Sequence, residues 1–158
     1  MSKKPQPSVH DKALDLLARR RLSRGELRWK LLVRKYEEAE VENTLDRLQE
    51  LGLLDDKALA EDYAENRVSA KPMGKRLLLQ ELQKRLVETE LAESAAEKAL
   101  EGLSEEDLAE QALQREMRLT KDVKKLYSRM LRLGFGYEVV EEALRKSVIH
   151  RDEEDKSG

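Results

Sequence analysis

Cysteine is absent from this 158-residue chain. Disulfides, zinc fingers and thiol nucleophiles are excluded together, nothing points to an oxidising compartment, and the cytoplasm is the expected location. Aromatics are scarce, with one Trp, one Phe and four Tyr, and of three prolines only Pro72 falls inside the body of the sequence. Sandwiches and barrels need more of both, so all-β folds are excluded. The longest stretch free of Asp, Glu, Lys and Arg is Pro5 to His10. That is far short of the roughly 20 apolar residues that cross a bilayer, and no apolar signal core follows Lys3 and Lys4. The chain is expected neither to span a membrane nor to be secreted. His10 and His150, the only histidines, lie at ends expected to fray, which leaves a His-based triad or metal cluster without a scaffold. No catalysis and no cofactor are expected.

Leu, Ala, Glu, Lys and Arg supply 96 of the 158 residues, beyond the roughly 50% that marks helical or repeat composition. Leu27 and Leu31 align with Leu78 and Leu82, then with Leu126 and Met130, at offsets of 51 and 48 residues. Each pair keeps the i, i+4 spacing of one helix face. Ala13, Leu17 and Ala18 likewise match Leu59, Tyr63 and Ala64, then Leu108, Ala112 and Leu113. The expected fold is all-α: an elongated, curved array of three tandem three-helix repeats, whose neighbours supply part of each other's cores. Helices are predicted over 12–21, 24–35 and 38–51, then 56–69, 73–86 and 88–100, then 105–119, 121–133 and 137–148. The repeats span 12–55, 56–102 and 103–149, with disordered tails at 1–11 and 150–158. Ser23, Asp56, Ser104 and Thr120 are the expected N-caps, and Gly52, Gly102 and Gly134 the expected helix stops.

The near-zero net charge of −2 hides a segregation. Arg19 to Lys35 holds eight basic residues against one acid, Lys71 to Arg85 five against one, and Arg115 to Arg132 seven against two. Between them, Glu37 to Glu65 carries a net −9 and Glu88 to Glu110 a net −8. Equivalent helices of an array line up, so the middle helices are expected to form one positive stripe able to concentrate polyanions or acidic protein surfaces. A solvated, salt-bridged face fits the same pattern. Trp29 and Tyr127, the aromatics within these helices, read as core residues ahead of base-stacking groups. Gly74-Lys75-Arg76 lacks the remaining residues of a phosphate-binding loop and reads as a helix start, and Asp55-Asp56 reads as capping ahead of metal binding.

Three stretches resemble the RecX family of bacterial regulators of the RecA recombinase. They are Ala13-Leu14-Asp15-Leu16-Leu17-Ala18-Arg19-Arg20 with Ser23-Arg24-Gly25-Glu26-Leu27; Leu48-Gln49-Glu50-Leu51-Gly52-Leu53-Leu54-Asp55-Asp56 with Leu59-Ala60-Glu61-Asp62-Tyr63; and Leu133-Gly134-Phe135. The resemblance covers roughly residues 12–148 and implies tandem three-helix repeats. It further implies a non-enzymatic modulator, mainly an inhibitor, that binds along the RecA filament on single-stranded DNA and suppresses its ATPase, strand-exchange and coprotease activities. Where the family usually has Lys-Gly before the third helix of a unit, this chain has Arg34-Lys35 and Arg85-Leu86, and only the third unit keeps Gly134. The bend there is expected to differ in the first two units.

Charge nominates the contact residues: Arg19, Arg20, Arg24, Arg28, Lys30, Arg34, Lys75, Arg76, Lys121, Lys124, Lys125 and Arg129. Arg24, Arg28, Lys75, Arg76, Lys124 and Lys125 are expected on one continuous face. The expected partners are the RecA filament and single-stranded DNA, with duplex DNA a further candidate, and the chain is expected to be a monomer. An independent helical DNA-binding protein and a protein-only scaffold remain open as alternatives.

Overall fold

Every helix start in this chain has to satisfy orphan N–H groups, and the way it does so sets the boundaries. The computed structural model describes residues 5–157, apart from the side chains of 149–151. Among the described residues it contains nine helices and no strand. The first unit holds α1 (Val9–Arg19), α2 (Arg24–Val33) and α3 (Glu38–Glu50); the second α4 (Asp56–Ala70), α5 (Lys75–Lys84) and α6 (Thr89–Leu100); the third α7 (Glu105–Glu116), α8 (Val123–Arg132) and α9 (Tyr137–Lys156).

Ser23 closes a capping box with Glu26 at the start of α2, and Ser104 accepts the Asp107 N–H at the start of α7. Two expected caps shift. Asp55, not Asp56, caps α4 by accepting the Ala58 N–H at 3.0 Å. Asp122, not Thr120, caps α8 through the Lys124 N–H at 2.9 Å, while the Thr120 hydroxyl accepts the Asp122 N–H. At the front, Ser8 caps α1, so residues 9–11 are helical where a disordered tail was expected. At the back, α9 runs to Lys156 because no glycine or proline interrupts 137–156, so residues 150–156 are helical as well. The remaining tail positions 1–4 and 158 lie outside the described residues.

Each unit closes its own core. Leu27, Leu31, Leu78, Leu82 and Met130 are fully buried and Leu126 nearly so, as the repeat register requires. The second and third units share Leu77 and Leu100, which pack against both cores. Among the described residues none is shared by the first and second cores. That junction is polar instead of the expected shared apolar core. Asp56 accepts the backbone N–H of Arg24 at 2.8 Å, Arg21 pairs with Asp62 at 2.7 Å, and Arg85 donates to the Arg21 carbonyl at 2.8 Å and to Glu26 at 3.1 Å.

Both junctions nevertheless use one device. The Ser23 hydroxyl donates to the carbonyl of Arg85, which follows α5, and the Gly74 N–H donates to the carbonyl of Leu133, which follows α8, at 2.8 Å. Ser23 and Gly74 are equivalent N-caps, and Arg85 and Leu133 are equivalent C-caps. The N-termini of α2 and α5 therefore abut the C-termini of α5 and α8. The order α8, α5, α2 forms a head-to-tail row in which positive and negative dipole ends meet.

The bend after each middle helix is the same in kind, contrary to the expected difference. Lys35 (φ 71°) and Leu86 (φ 58°) adopt the left-handed conformation of Gly134 (φ 93°) despite carrying side chains. At Gly134 the close approach adds to the demand for glycine, since a Cβ there would lie 2.4 Å from the Leu77 nitrogen.

Two stability outcomes follow from this packing. Leu82→Ala should lower the unfolding free energy by roughly 2–5 kcal/mol, read by urea denaturation followed by circular dichroism. Lys35→Gly, at an exposed left-handed position, should raise it by about 0.5–1 kcal/mol, and a loss there would contradict the strain.

Candidate functional site

The twelve nominated cations divide by what their side chains touch. Arg24 and Arg28 are half-buried and turned toward α3. Arg24 reaches Glu42 at 3.0 Å, Asp46 at 2.8 Å and Gln49 at 2.8 Å; Arg28 binds Glu38 at 2.8 Å and Glu42 through its Nε. The hydrogen bond from Arg28, with that from Arg24, outweighs burial and holds the Glu42 carboxyl below its ordinary range. Lys75 pairs with Glu97 at 3.2 Å, the same position one unit on. Arg19 pairs with Asp15, Arg20 lies 3.7 Å from Glu26, and Arg129 binds the buried Glu116 at 3.0 Å. Arg34 and Arg76 donate to the backbone carbonyls of Lys30 and Leu131.

The continuous face expected for Arg24, Arg28, Lys75, Arg76, Lys124 and Lys125 therefore splits. Among the described residues Lys30, Arg34, Arg76, Lys121, Lys124 and Lys125 have no carboxylate partner. The outward side of each middle helix, opposite its buried Leu or Met pair, is a different set of positions spaced by four. In α8 it is Lys124, Ser128 and Arg132, and in α5 Arg76, Gln80 and Lys84, all exposed. In α2 it is Gly25, Trp29 and Val33, with Trp29 61% and Val33 54% exposed. Trp29 is thus not a core residue. Tyr127 is half-buried and tilts against Tyr137, ring centroids 6.4 Å apart. Lys84, Arg132 and Trp29 lie on this outward side and are not among the nominated residues, although the repeat alignment, read four residues apart on the side away from the leucines, contains them.

Outward faces meet at both junctions. Gly25 lies where a Cβ would come within 2.8 Å of the Leu86 Cβ, and the Arg76 guanidinium reaches the last turn of α8 through the Leu131 carbonyl at 3.0 Å. The row thus presents cations along α8 and α5 and an apolar ridge on α2. Among the described residues no group of acidic or histidine side chains is arranged to hold a metal ion, and no helix is long and apolar enough to cross a membrane.

A second ion pair shows how the frame is held. In unit two Arg67 grips Glu81 with two hydrogen bonds of 2.9 and 2.8 Å, and Tyr63 donates a third at 2.8 Å. Burial raises the Glu81 carboxyl, but these hydrogen bonds together hold it below its ordinary range. The aligned pair in unit three is Glu116 with Arg129, the same contact with its charges exchanged. Glu81→Arg should therefore destabilise by roughly 1–3 kcal/mol, and adding Arg67→Glu should restore most of it. With the folded carboxyl depressed, the unfolded chain binds the proton more readily. The stability Glu81 contributes is present above the ordinary glutamate range, near pH 4.3, and is lost as pH falls below it. Glu81→Gln should flatten that acid limb in denaturation midpoints taken between neutral and acid pH.

The family model for the first three-helix domain of RecX matches residues 10–48, and the model for the second matches residues 55–95. A Regulatory protein RecX of Chlorobium phaeobacteroides is 46% identical over 50% of this chain and 53% of its own length. One from a Mycobacterium species (strain JLS) is 36% identical over 73% of this chain and 63% of its own. The chain thus spans between half and two thirds of the length of these relatives, but 91% of that of the Chlorobaculum tepidum protein, at 29% identity. The crystal structure of RecX from Lactobacillus salivarius superposes with a TM-score of 0.68 over 87% of this chain and 93% of that one, at 20% identity. The two matched domains coincide with the first two structural units, α1 to α3 and α4 to α6, and together span half of the sequence. On that agreement the chain belongs to the RecX family of regulatory proteins.

Proposed function

We propose that this protein modulates RecA, mainly as an inhibitor, by lying along the RecA–single-stranded DNA filament as a monomer in the cytoplasm and suppressing ATP hydrolysis, strand exchange and coprotease activity. It acts by binding and has no chemistry of its own. The observation that carries the reading beyond family membership is the head-to-tail row α8, α5, α2, whose outward cations have no carboxylate partner among the described residues.

A row of three 10-residue helices, each about 15 Å long, offers an extended line of contact to a filament, where a compact module offers a spot. Lys30, Arg34, Arg76, Lys121, Lys124 and Lys125 are the proposed contacts from the nominated set, with Lys84 and Arg132 added by their place on the outward face. Arg24, Arg28, Lys75 and Arg129 are assigned to bracing the helices within their own units, since their charge is already satisfied.

The test is DNA-dependent ATP hydrolysis by RecA with and without the protein. Equimolar or lower amounts should suppress it, and Lys84→Glu with Lys124→Glu and Arg132→Glu should relieve suppression while circular dichroism stays unchanged. Unchanged hydrolysis and strand exchange with excess wild-type protein would remove the regulator reading and leave an independent DNA-binding protein.

A further inference from the structure

Trp29 is the only tryptophan in the chain and stands 61% exposed at the centre of the outward face of α2. An amphipathic helix directs polar residues away from the core. In α5 and α8 the positions equivalent to Gly25, Trp29 and Val33 obey this, as Arg76, Gln80 and Lys84 and as Lys124, Ser128 and Arg132. In α2 alone the three are apolar. The ridge continues across the junction, because Leu86, 50% exposed, lies against Gly25, and Trp29 follows Gly25 by one turn on the same side. Unit one's own cations leave the ridge on one side, since Arg24 and Arg28 turn to the carboxylates of α3. On the other side Lys30 follows Trp29 without a carboxylate partner among the described residues.

Along the row, then, a track of exposed cations on α8 and α5 leads to a single exposed indole. We infer that the row is a binding surface for single-stranded nucleic acid in which the cations follow the phosphates and Trp29 stacks on an unpaired base. This rests on the proposed filament reading and names the part of it that Trp29 performs. A cation track ending in an aromatic is the combination that separates single strands from duplex: a duplex offers the same phosphates, but its base faces are already stacked. A purely apolar protein contact would leave the aligned cations of α5 and α8 without a role, so the nucleic acid is the favoured occupant.

Because the chain has one tryptophan, the full-length protein carries its own probe. Titration with an oligodeoxythymidylate, beside a duplex of equal length, should quench Trp29 emission with the single strand only. Trp29→Ala should weaken single-strand affinity by about 5- to 150-fold, with the salt dependence of binding unchanged, and Trp29→Phe should recover part of the loss. Lys84→Glu with Lys124→Glu should instead reduce the salt dependence while leaving residual quenching at low salt. Unchanged emission on saturation with oligonucleotide, or Trp29→Ala binding as wild type, would overturn the stacking assignment. Loss of RecA suppression by Trp29→Ala with oligonucleotide affinity intact would overturn it too, and would reassign the ridge to a protein surface. The regulator reading is tested apart from all of these by wild-type suppression of RecA ATPase, which stands or falls whatever Trp29 does.

Discussion

One joint, made twice, organises this molecule. The N-caps of α2 and α5 donate to the carbonyl that closes the middle helix of the following unit: Ser23 through its hydroxyl to Arg85, and Gly74 through its backbone N–H to Leu133. Those carbonyls, and the Gly74 N–H, are groups a helix end leaves unsatisfied. A helix N-terminus and a helix C-terminus therefore complete each other, aligned in the sense that brings opposite dipole ends together. The tight approach explains the small residues at these joints. Gly25 lies against Leu86, and Gly74 against Gly134, where a Cβ on Gly74 would come within 2.2 Å of the Gly134 carbonyl oxygen.

The two joints share geometry and differ in chemistry. Between units two and three the filling is apolar, through Leu77 and Leu100. Between units one and two it is polar: Arg85 lies under the first turn of α2, donates to Arg21 and Glu26, places its guanidinium 5.8 Å from the centre of the Tyr63 ring, and leaves its buried Nε without a hydrogen-bond partner among the described residues. An apolar joint tolerates small slips, whereas a charged hydrogen-bonded joint is good only in one arrangement. Ser23, Glu26, Asp56 and Arg85 therefore set the angle of the first unit by directional polar contacts, whereas Leu77 and Leu100 support that of the third by apolar packing beside the Gly74 and Arg76 hydrogen bonds.

Much of this was legible in the sequence. The leucine pairs at Leu27, Leu78 and Leu126 set the repeat, and the glycines at 52, 102 and 134 marked helix ends because only that backbone reaches their positive φ without strain. The charge pattern gave the sign of the middle helices but not their free charge. Pairing is decided on the neighbouring helix, 14 to 22 residues away, where Glu42 and Asp46 neutralise Arg28 and Arg24. The left-handed bends at Lys35 and Leu86 were equally hidden, because tertiary packing overrides the preference of those residues. Trp29 was misread because aromatic content was weighed without its angle on the helix. Its spacing of two from Leu27 places it roughly opposite the core.

Comparing the three units position by position separates what the fold needs from what it leaves free. On the side of each middle helix that faces the third helix, Arg28 with Glu38 in unit one corresponds to Tyr127 with Tyr137 in unit three. An ion pair and a ring pair serve at one place, so that place needs contact and no particular chemistry. The Arg67–Glu81 and Glu116–Arg129 exchange makes the same point with charge. The outward positions carry no such constraint, since Gln80, Lys84, Lys124 and Arg132 are exposed. Where the fold imposes no demand, a departure from polar composition is a cost in solvent exposure that packing does not explain. Trp29 and Val33 are that departure, and they stand at one end of the row.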